Sequence, residues 1–220
     1  MSEESLYKQS YFERLKEFET LVPDAFNEFG RFDKKTMETN TLTHKEKELI
    51  AIAVAHTTGC PYCIDVHTKG AKKAEASKEE VAEAIMVAVA LKAGSALAHG
   101  VNALNAYDQQ KDDELYKTAY FNRLKEFSQL NGKAFEAFID FDNETMKPGL
   151  LGIKEKELIA IAVAHTTGCP YCINVHTKGA KKAEASKEEV AEAIMVAASL
   201  KAGSALAHGV NALNAFDDLS

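Results

Sequence analysis

The chain has 220 residues, 46% of them hydrophobic and 27% charged, which is the balance of an ordinary globular protein of one to two domains. Twenty-six basic residues stand against 33 acidic ones for a net charge of −7, and no Lys/Arg-rich run stands out, so no nucleic-acid partner is expected. With 12 Gly and 4 Pro, collagen-like and low-complexity readings fail, and the polar stretch from Met1 to Gln9 has no apolar h-region, so a cytoplasmic location is expected.

In chain order, Tyr11, Leu15 and Phe18 recur at helical spacing and predict a first amphipathic helix. Pro23 opens a second, with Phe26, Phe29 and Phe32 toward one side, and the phenylalanines of both read as core. Thr43 followed by Glu46 is a capping box that starts a third helix through Leu49, Ile50, Ile52 and Val54. Thr57, Thr58 and Gly59 break it, and Pro61 suits the first turn of a fourth helix ending near Ala74. Ser77 with Glu80, repeated as Ser186 with Glu189, caps a long fifth helix from Lys78 to about Tyr107, with a kink expected near Gly94 or Gly100. Its apolar stretch, 81–98, is interrupted by Glu83 and Lys92, so it reads as a buried helix and no membrane association is expected. No segment alternates with period two, and the fold class is all-α.

The chain is one unit written twice. Adding 109 to a position in the first half finds its partner in the second, and over 44–107 against 153–216 only five of 64 positions differ. These are His44/Ile153, Asp65/Asn174, Val89/Ala198, Ala90/Ser199 and Tyr107/Phe216. From 11–43 against 120–152 only 16 of 33 positions match. Two repeats are too few for a solenoid, so the expected organisation is two tandem units, 1–110 and 111–220, joined through the charged run 108–117.

The chemistry lies in two identical tetrapeptides, Cys60-Pro61-Tyr62-Cys63 and Cys169-Pro170-Tyr171-Cys172. In a cytosolic chain such pairs are redox-active or metal-binding, not a disulfide framework. With Pro61 as the first helical residue, Cys60 is the N-cap and Cys63 sits in the first turn, where backbone N–H groups favour a thiolate. His67 lies one turn on, close enough to exchange a proton with the thiol. If the third and fourth helices fold back on each other, Glu48 lies about 13 Å from the turn and His67 about 9 Å, at ~1.5 Å per residue, a gap that side chains or one water can close. Glu48, His67 and Cys63 can thus form a proton relay, and Glu157, His176 and Cys172 a second.

Other readings compete. Cys60, Cys63 and His67 with a fourth ligand can hold a structural zinc, or all four cysteines can form one site. The thiols can also be inert. His56 reads as a hydrogen-bonded structural histidine and His99 as packed or interfacial. Glu48 alone is a solvated helix residue beside the surface charges Lys45, Glu46 and Lys47, while Lys69, Lys72 and Lys73 form a solvated face. Asp65, two residues from Cys63, is expected to disfavour the thiolate there relative to Cys172, which has Asn174 instead.

The run Glu48-Leu-Ile-Ala-Ile-Ala-Val-Ala-His56-Thr-Thr-Gly-Cys60-Pro-Tyr-Cys63-Ile-Asp-Val-His67 resembles the carboxymuconolactone decarboxylase family, in its AhpD-like alkylhydroperoxidase branch. Glu79 to Met86 and Ala98-His99-Gly100 resemble the same family, and the likeness covers about 40–107 and 149–216. It implies an all-helical AhpD-like fold and a thiol peroxidase or disulfide reductase. Cys63 and Cys172 would attack the hydroperoxide, and Cys60 and Cys169 would close the disulfides. Glu48 with His67 and Glu157 with His176 would relay the proton. It also implies hydroperoxide or disulfide substrates, an external dithiol reductant, no bound cofactor or metal, and a homotrimer with six pseudo-equivalent repeats. The best-studied pattern carries a histidine between the cysteines where this chain has Tyr62 and Tyr171. A lactone or decarboxylase enzyme of the same fold, and a redox or zinc-binding module, are the rival readings.

Overall fold

The computed structural model describes residues 5–110 and 113–218; residues 111 and 112 of the expected joint, and 1–4 of the polar N-terminus, lie outside the described residues. A 3-10 segment, Gln9–Lys16, runs into α1 (Glu17–Leu21), followed by α2 (Pro23–Met37), α3 (His44–Thr58), α4 (Pro61–Lys73) and α5 (Lys78–Tyr107). The second half repeats the order: a 3-10 segment, Thr118–Glu126, then α6 (Phe127–Leu130), α7 (Gly132–Met146), α8 (Ile153–Thr167), α9 (Pro170–Lys182) and α10 (Lys187–Asp218). No strand is present among the described residues, so the all-α tandem architecture holds.

The first segment departs from the expected α-helix, and its side chains give the reason. A 3-10 turn brings residues three apart into line. Phe12, Leu15 and Phe18, and in the second half Phe121, Leu124 and Phe127, stand at that spacing. The strip therefore shares Leu15 and Phe18 with the expected stripe and begins at Phe12 instead of Tyr11. Neither α2 nor α7 contains a fully buried residue, so their phenylalanines cover the core as walls and do not fill it.

The centre is built by α3 and α8, which pack on each other and on both long helices, α5 and α10. From Lys47 to Ala55 every residue of α3 is buried, and 158–164 of α8 are as well. Helices buried all round carry no single apolar face, and the alternation of Ala51, Ala53 and Ala55 with Ile50, Ile52 and Val54 lets neighbours approach closely. Each fully buried Ile or Leu here contributes about 1.5–3 kcal/mol. The expected caps form: Thr43 and Glu46 bond reciprocally, as do Ser77 with Glu80 and Ser186 with Glu189. Gly152 has no side chain for a cap, but its N–H is taken by Glu155 at 2.5 Å.

The repeats interlock. The first 3-10 segment and α2 lie on α10, and the second 3-10 segment and α7 lie on α5. The long helices run unbroken, and their glycines receive phenyl rings from the segments that cross them. Phe18 and Phe29 rest against Gly209 and Gly203, and Phe127 and Phe138 against Gly100 and Gly94. By length and composition 78–107 and 187–217 could each cross a membrane, but both are elements of this shared core.

Two ion pairs, each with a buried lysine, tie the halves together, and here a sequence expectation fails. Lys47 is not a surface charge: it is 2% exposed, donates to the carbonyls of Thr36 (2.9 Å) and Glu38 (2.6 Å), and pairs with Glu192 of α10 at 2.8 Å. Lys156 bonds the carbonyls of Thr145 and Lys147 and pairs with Glu83 of α5 at 3.1 Å. Burial alone would push the Glu192 carboxyl up, but Lys47 and the N–H groups of Thr41 and Leu42 hold it down at about 2. Glu83, desolvated but bonded by Leu150, Leu151 and Lys156, is lowered in the same way.

Candidate active site

Gly59 ends α3 in the left-handed conformation (φ 73°), a turn that costs glycine nothing, and Cys60 then caps α4. The Cys63 N–H donates to Cys60 Sγ at 3.2 Å, and the two cysteines are joined as a disulfide with their Cα atoms 5.3 Å apart. Cys169 and Cys172 repeat this at α9, with the same separation of 5.3 Å. The four cysteines therefore form two separate pairs, not one four-sulfur site. Among the described residues no group of three His, Cys, Asp or Glu side chains is placed to hold a metal ion.

The two cysteines of each pair are not equivalent. Cys60 and Cys169 are fully buried, while Cys63 and Cys172 are 7% exposed. Cys63 lines a cavity of about 170 Å³ with His67 and Val66 of α4, Phe12 and Leu15 of the 3-10 segment, Phe29 and Asp33 of α2, and Ser199 to Ala207 of α10. The first site is thus walled by both repeats.

The carboxylates reach the histidines directly. His67 Nδ1 lies 2.9 Å from Glu48 Oε2, and His176 Nδ1 lies 2.9 Å from Glu157 Oε2, with no gap for water. A carboxylate only accepts, so the proton sits on Nδ1 and Nε2 is left as the basic nitrogen of each ring. What closes the gap is Gly70 and Gly179: a Cβ at either would fall on the glutamate carboxylate. Sequence reasoning missed these two residues. The available signal was a glycine in mid-helix, which costs about 1 kcal/mol against alanine and so implies a packing reason.

The outer faces of the sites differ. Glu48 Oε1 also meets His44 Nε2 at 3.4 Å, whereas Ile153 replaces that histidine beside Glu157. Behind the carboxylates lie open grooves, of about 510 Å³ by His44 and Glu48 and about 1010 Å³ by Ile153 and Glu157. Neither groove is lined by a cysteine, and each reaches its glutamate from the side away from the sulfur.

The remaining expectations resolve individually. Tyr62 and Tyr171 are 6% and 5% exposed and packed on Phe12 and Phe121. Burial pushes both phenols up, which keeps them neutral, and the Tyr171 hydroxyl donates to Asn102 at 3.2 Å. His56 is structural, with Nδ1 2.8 Å from the Ile52 carbonyl. His99 packs edge-on against Tyr116 of the other repeat. Asp65 is about half exposed and paired with Lys69 at 2.6 Å, so its charge is offset at the surface.

Comparison with known proteins agrees with this architecture. The family model described as the carboxymuconolactone decarboxylase family matches residues 23–106 and again 132–215. An uncharacterized protein of the cox locus of Paracoccus denitrificans is 42% identical over 96 residues, 44% of this chain and 86% of its own length. An uncharacterized protein of Haemophilus influenzae is 41% identical over 107 residues, 44% of this chain and 95% of its own. Each such relative thus corresponds to about one repeat. A solved structure from Burkholderia xenovorans LB400, a candidate gamma-carboxymuconolactone decarboxylase subunit, superposes with a TM-score of 0.70 at 20% identity over 96% of both chains. At that identity it is a likeness of fold.

Proposed function

The chain belongs to the carboxymuconolactone decarboxylase family, and from that premise we propose that it is a thiol-dependent hydroperoxidase or disulfide reductase with one dithiol site in each repeat. One observation carries the reading: in both repeats the more exposed cysteine lies one turn from a histidine whose Nδ1 is held by a half-buried or buried glutamate. That is the arrangement of an activated nucleophile, with sulfur, base and orienting carboxylate in sequence.

In the reduced chain the Cys63 thiol gives its proton to His67, whose imidazolium is stabilised by Glu48. The thiolate, supported by the α4 N-terminus, attacks the terminal oxygen of a hydroperoxide. The S–O bond forms, the O–O bond breaks, and the departing alkoxide takes up the proton, which leaves an alcohol and a sulfenic acid. The buried Cys60 thiol then attacks the sulfenic sulfur, water leaves, and the disulfide results. An external dithiol reopens it by exchange. Cys172, His176, Glu157 and Cys169 take the same roles in the second repeat. Exposed Val66, Met86, Val89, Val175 and Met195 supply apolar surface for a homotrimer of chains, and light scattering at the mass of one chain would exclude that assembly.

The deciding experiment counts free thiols on the reduced chain before and after one equivalent of organic hydroperoxide per site, with metal analysis of the same sample. Loss of all four thiols without metal supports the peroxidase. Four unchanged thiols favour lactone or decarboxylase chemistry resting on His and Glu alone, and thiols masked by zinc favour a metal-binding module.

A further inference from the structure

The cavity over the first disulfide has a polar wall that the thiol mechanism leaves unused. Asp33 lines it with Cys63 and His67, and its Oδ1 accepts a hydrogen bond of 2.6 Å from Ser199 Oγ, which reaches across from α10. Ser199 is fully buried, so its end of this bond is shielded from water. The matching carboxyl of the second site is Asp142 on α7, which faces α5 in the same register. Phe29 rests on Gly203 and Phe138 on Gly94, and each aspartate lies four residues after its phenylalanine. The opposing residue lies four before the glycine: Ser199 in one case, Ala90 in the other. By the repeat register, the position opposite Asp142 carries a methyl group where the position opposite Asp33 carries a hydroxyl.

The sequence sets this pair apart. In the loosely matched segments, Asp33 and Asp142 are the one pair of acidic residues of α2 and α7 at matching positions, whereas Asp24 aligns with Lys133 and Glu28 with Ala137. The residue opposite is among only five differences in the 64-residue block. The charged groups that act on Asp142 are His176 from α9 and Glu157 from α8, and α5 meets α7 where Gly94 takes the ring of Phe138. Burial pushes the Asp142 carboxyl up; His176 opposes this and Glu157 adds to it.

We propose that each site uses this aspartate on the substrate oxygen, and that Ser199 and Ala90 divide the work between the sites. Asp33, anchored by Ser199, accepts a hydrogen bond from the hydroperoxide O–H and orients it. Asp142 carries a proton and gives it to the oxygen that leaves. The assignment rests on the hydroperoxidase reading. At the second site the Cys172 thiolate bonds to the terminal oxygen, the O–O bond breaks, and the alkoxide takes the Asp142 proton and departs as an alcohol. Cys172 is left as a sulfenic acid, and the proton that its thiol gave to His176 restores the acid.

Two full-length chains isolate the sites: C60S/C63S leaves the second and C169S/C172S the first. Disulfide formation with tert-butyl hydroperoxide is followed in a single turnover of the reduced chains across acidic to neutral pH. In the second-site chain A90S is expected to slow the reaction at neutral pH by about threefold to tenfold and to move the acidic limb of the profile downward, since each unit of carboxyl pKa is about tenfold in its protonated fraction. D142N loses at least as much, and D142E restores most of it. In the first-site chain S199A is expected to slow the reaction by about threefold to tenfold, because Asp33 loses the hydroxyl that orients it. Carbon-13 titration of labelled aspartate gives an independent reading, in which A90S lowers the Asp142 midpoint. Serine already occupies the equivalent place at 199, so the A90S chain is expected to fold. An A90S chain that reacts with hydroperoxide at an unchanged rate and profile overturns the assignment. Failure of both isolated chains to react at all overturns the hydroperoxidase reading beneath it.

Discussion

Glu192→Gln tests the ion pair that joins the halves. The glutamine keeps the shape and removes the charge, so it imitates a Glu192 that is permanently protonated. The folded carboxyl sits at about 2 against an ordinary 4.5, and its side chain is only 14% exposed. Each unit is worth about 1.4 kcal/mol, so the charge contributes on the order of 3 kcal/mol at neutral pH. That agrees with the roughly 3–5 kcal/mol lost when one partner of a buried pair is removed. The sign follows from a lowered pKa. The stabilisation is complete above the unfolded value of 4.5 and is lost as pH falls through about 2. At pH 3 the gap between the two proteins should shrink to about 1 kcal/mol. Urea denaturation of both proteins at pH 7 and pH 3, read by helical circular dichroism, measures it. A gap below about 1 kcal/mol at neutral pH, or one that stays constant on acidification, would refute the reasoning.

Gly70→Ala should slow disulfide formation at the first site by on the order of tenfold to a hundredfold, because the new methyl displaces the Glu48 carboxylate that orients His67. Single-turnover kinetics of the site-isolated chain checks this, and a rate within twofold of the parent would contradict it. The same change raises helix propensity by about 1 kcal/mol, so a lower urea midpoint would show that expelling the carboxylate outweighs that gain. Tyr171→Phe should leave the second-site rate within about twofold, since the hydroxyl is engaged by Asn102 and stays neutral; a larger loss would make it a participant. Gly209→Ala should cost about 1 kcal/mol by forcing Phe18 off α10, read as a lower thermal midpoint.

Much of this molecule is legible in its sequence because its signals are local. The Thr43–Glu46 and Ser77–Glu80 boxes, Gly59 and Pro61 act within a single turn, and the helices begin and end close to where these residues place them. The meeting of Glu48 with His67 was legible for a related reason: the short turn at Gly59 leaves α3 little choice but to fold back on α4. What escaped was set across the chain. Lys47 has the sequence surroundings of a surface charge, and only the arrival of Glu192 from α10 makes it a buried one. Asp33 looks solvated until Ser199 is placed against it. The 3-10 segments escaped because spacings of three and four are hard to separate in a short amphipathic run, and the long helix that settles the choice lies in the other repeat.

The exchange of walls between repeats also bears on how such a molecule can change. In a symmetric dimer of identical single-unit chains, every substitution is made in both cavities at once, and a gain in one is charged against the other. Covalent fusion removes that constraint. Because the first cavity borrows its far wall from α10 while α5 packs on α7 and α9, a single codon altered in α10 changes the first cavity and leaves its counterpart in α5 untouched. The hydroxyl at 199 and the methyl at 90 show that symmetry already broken.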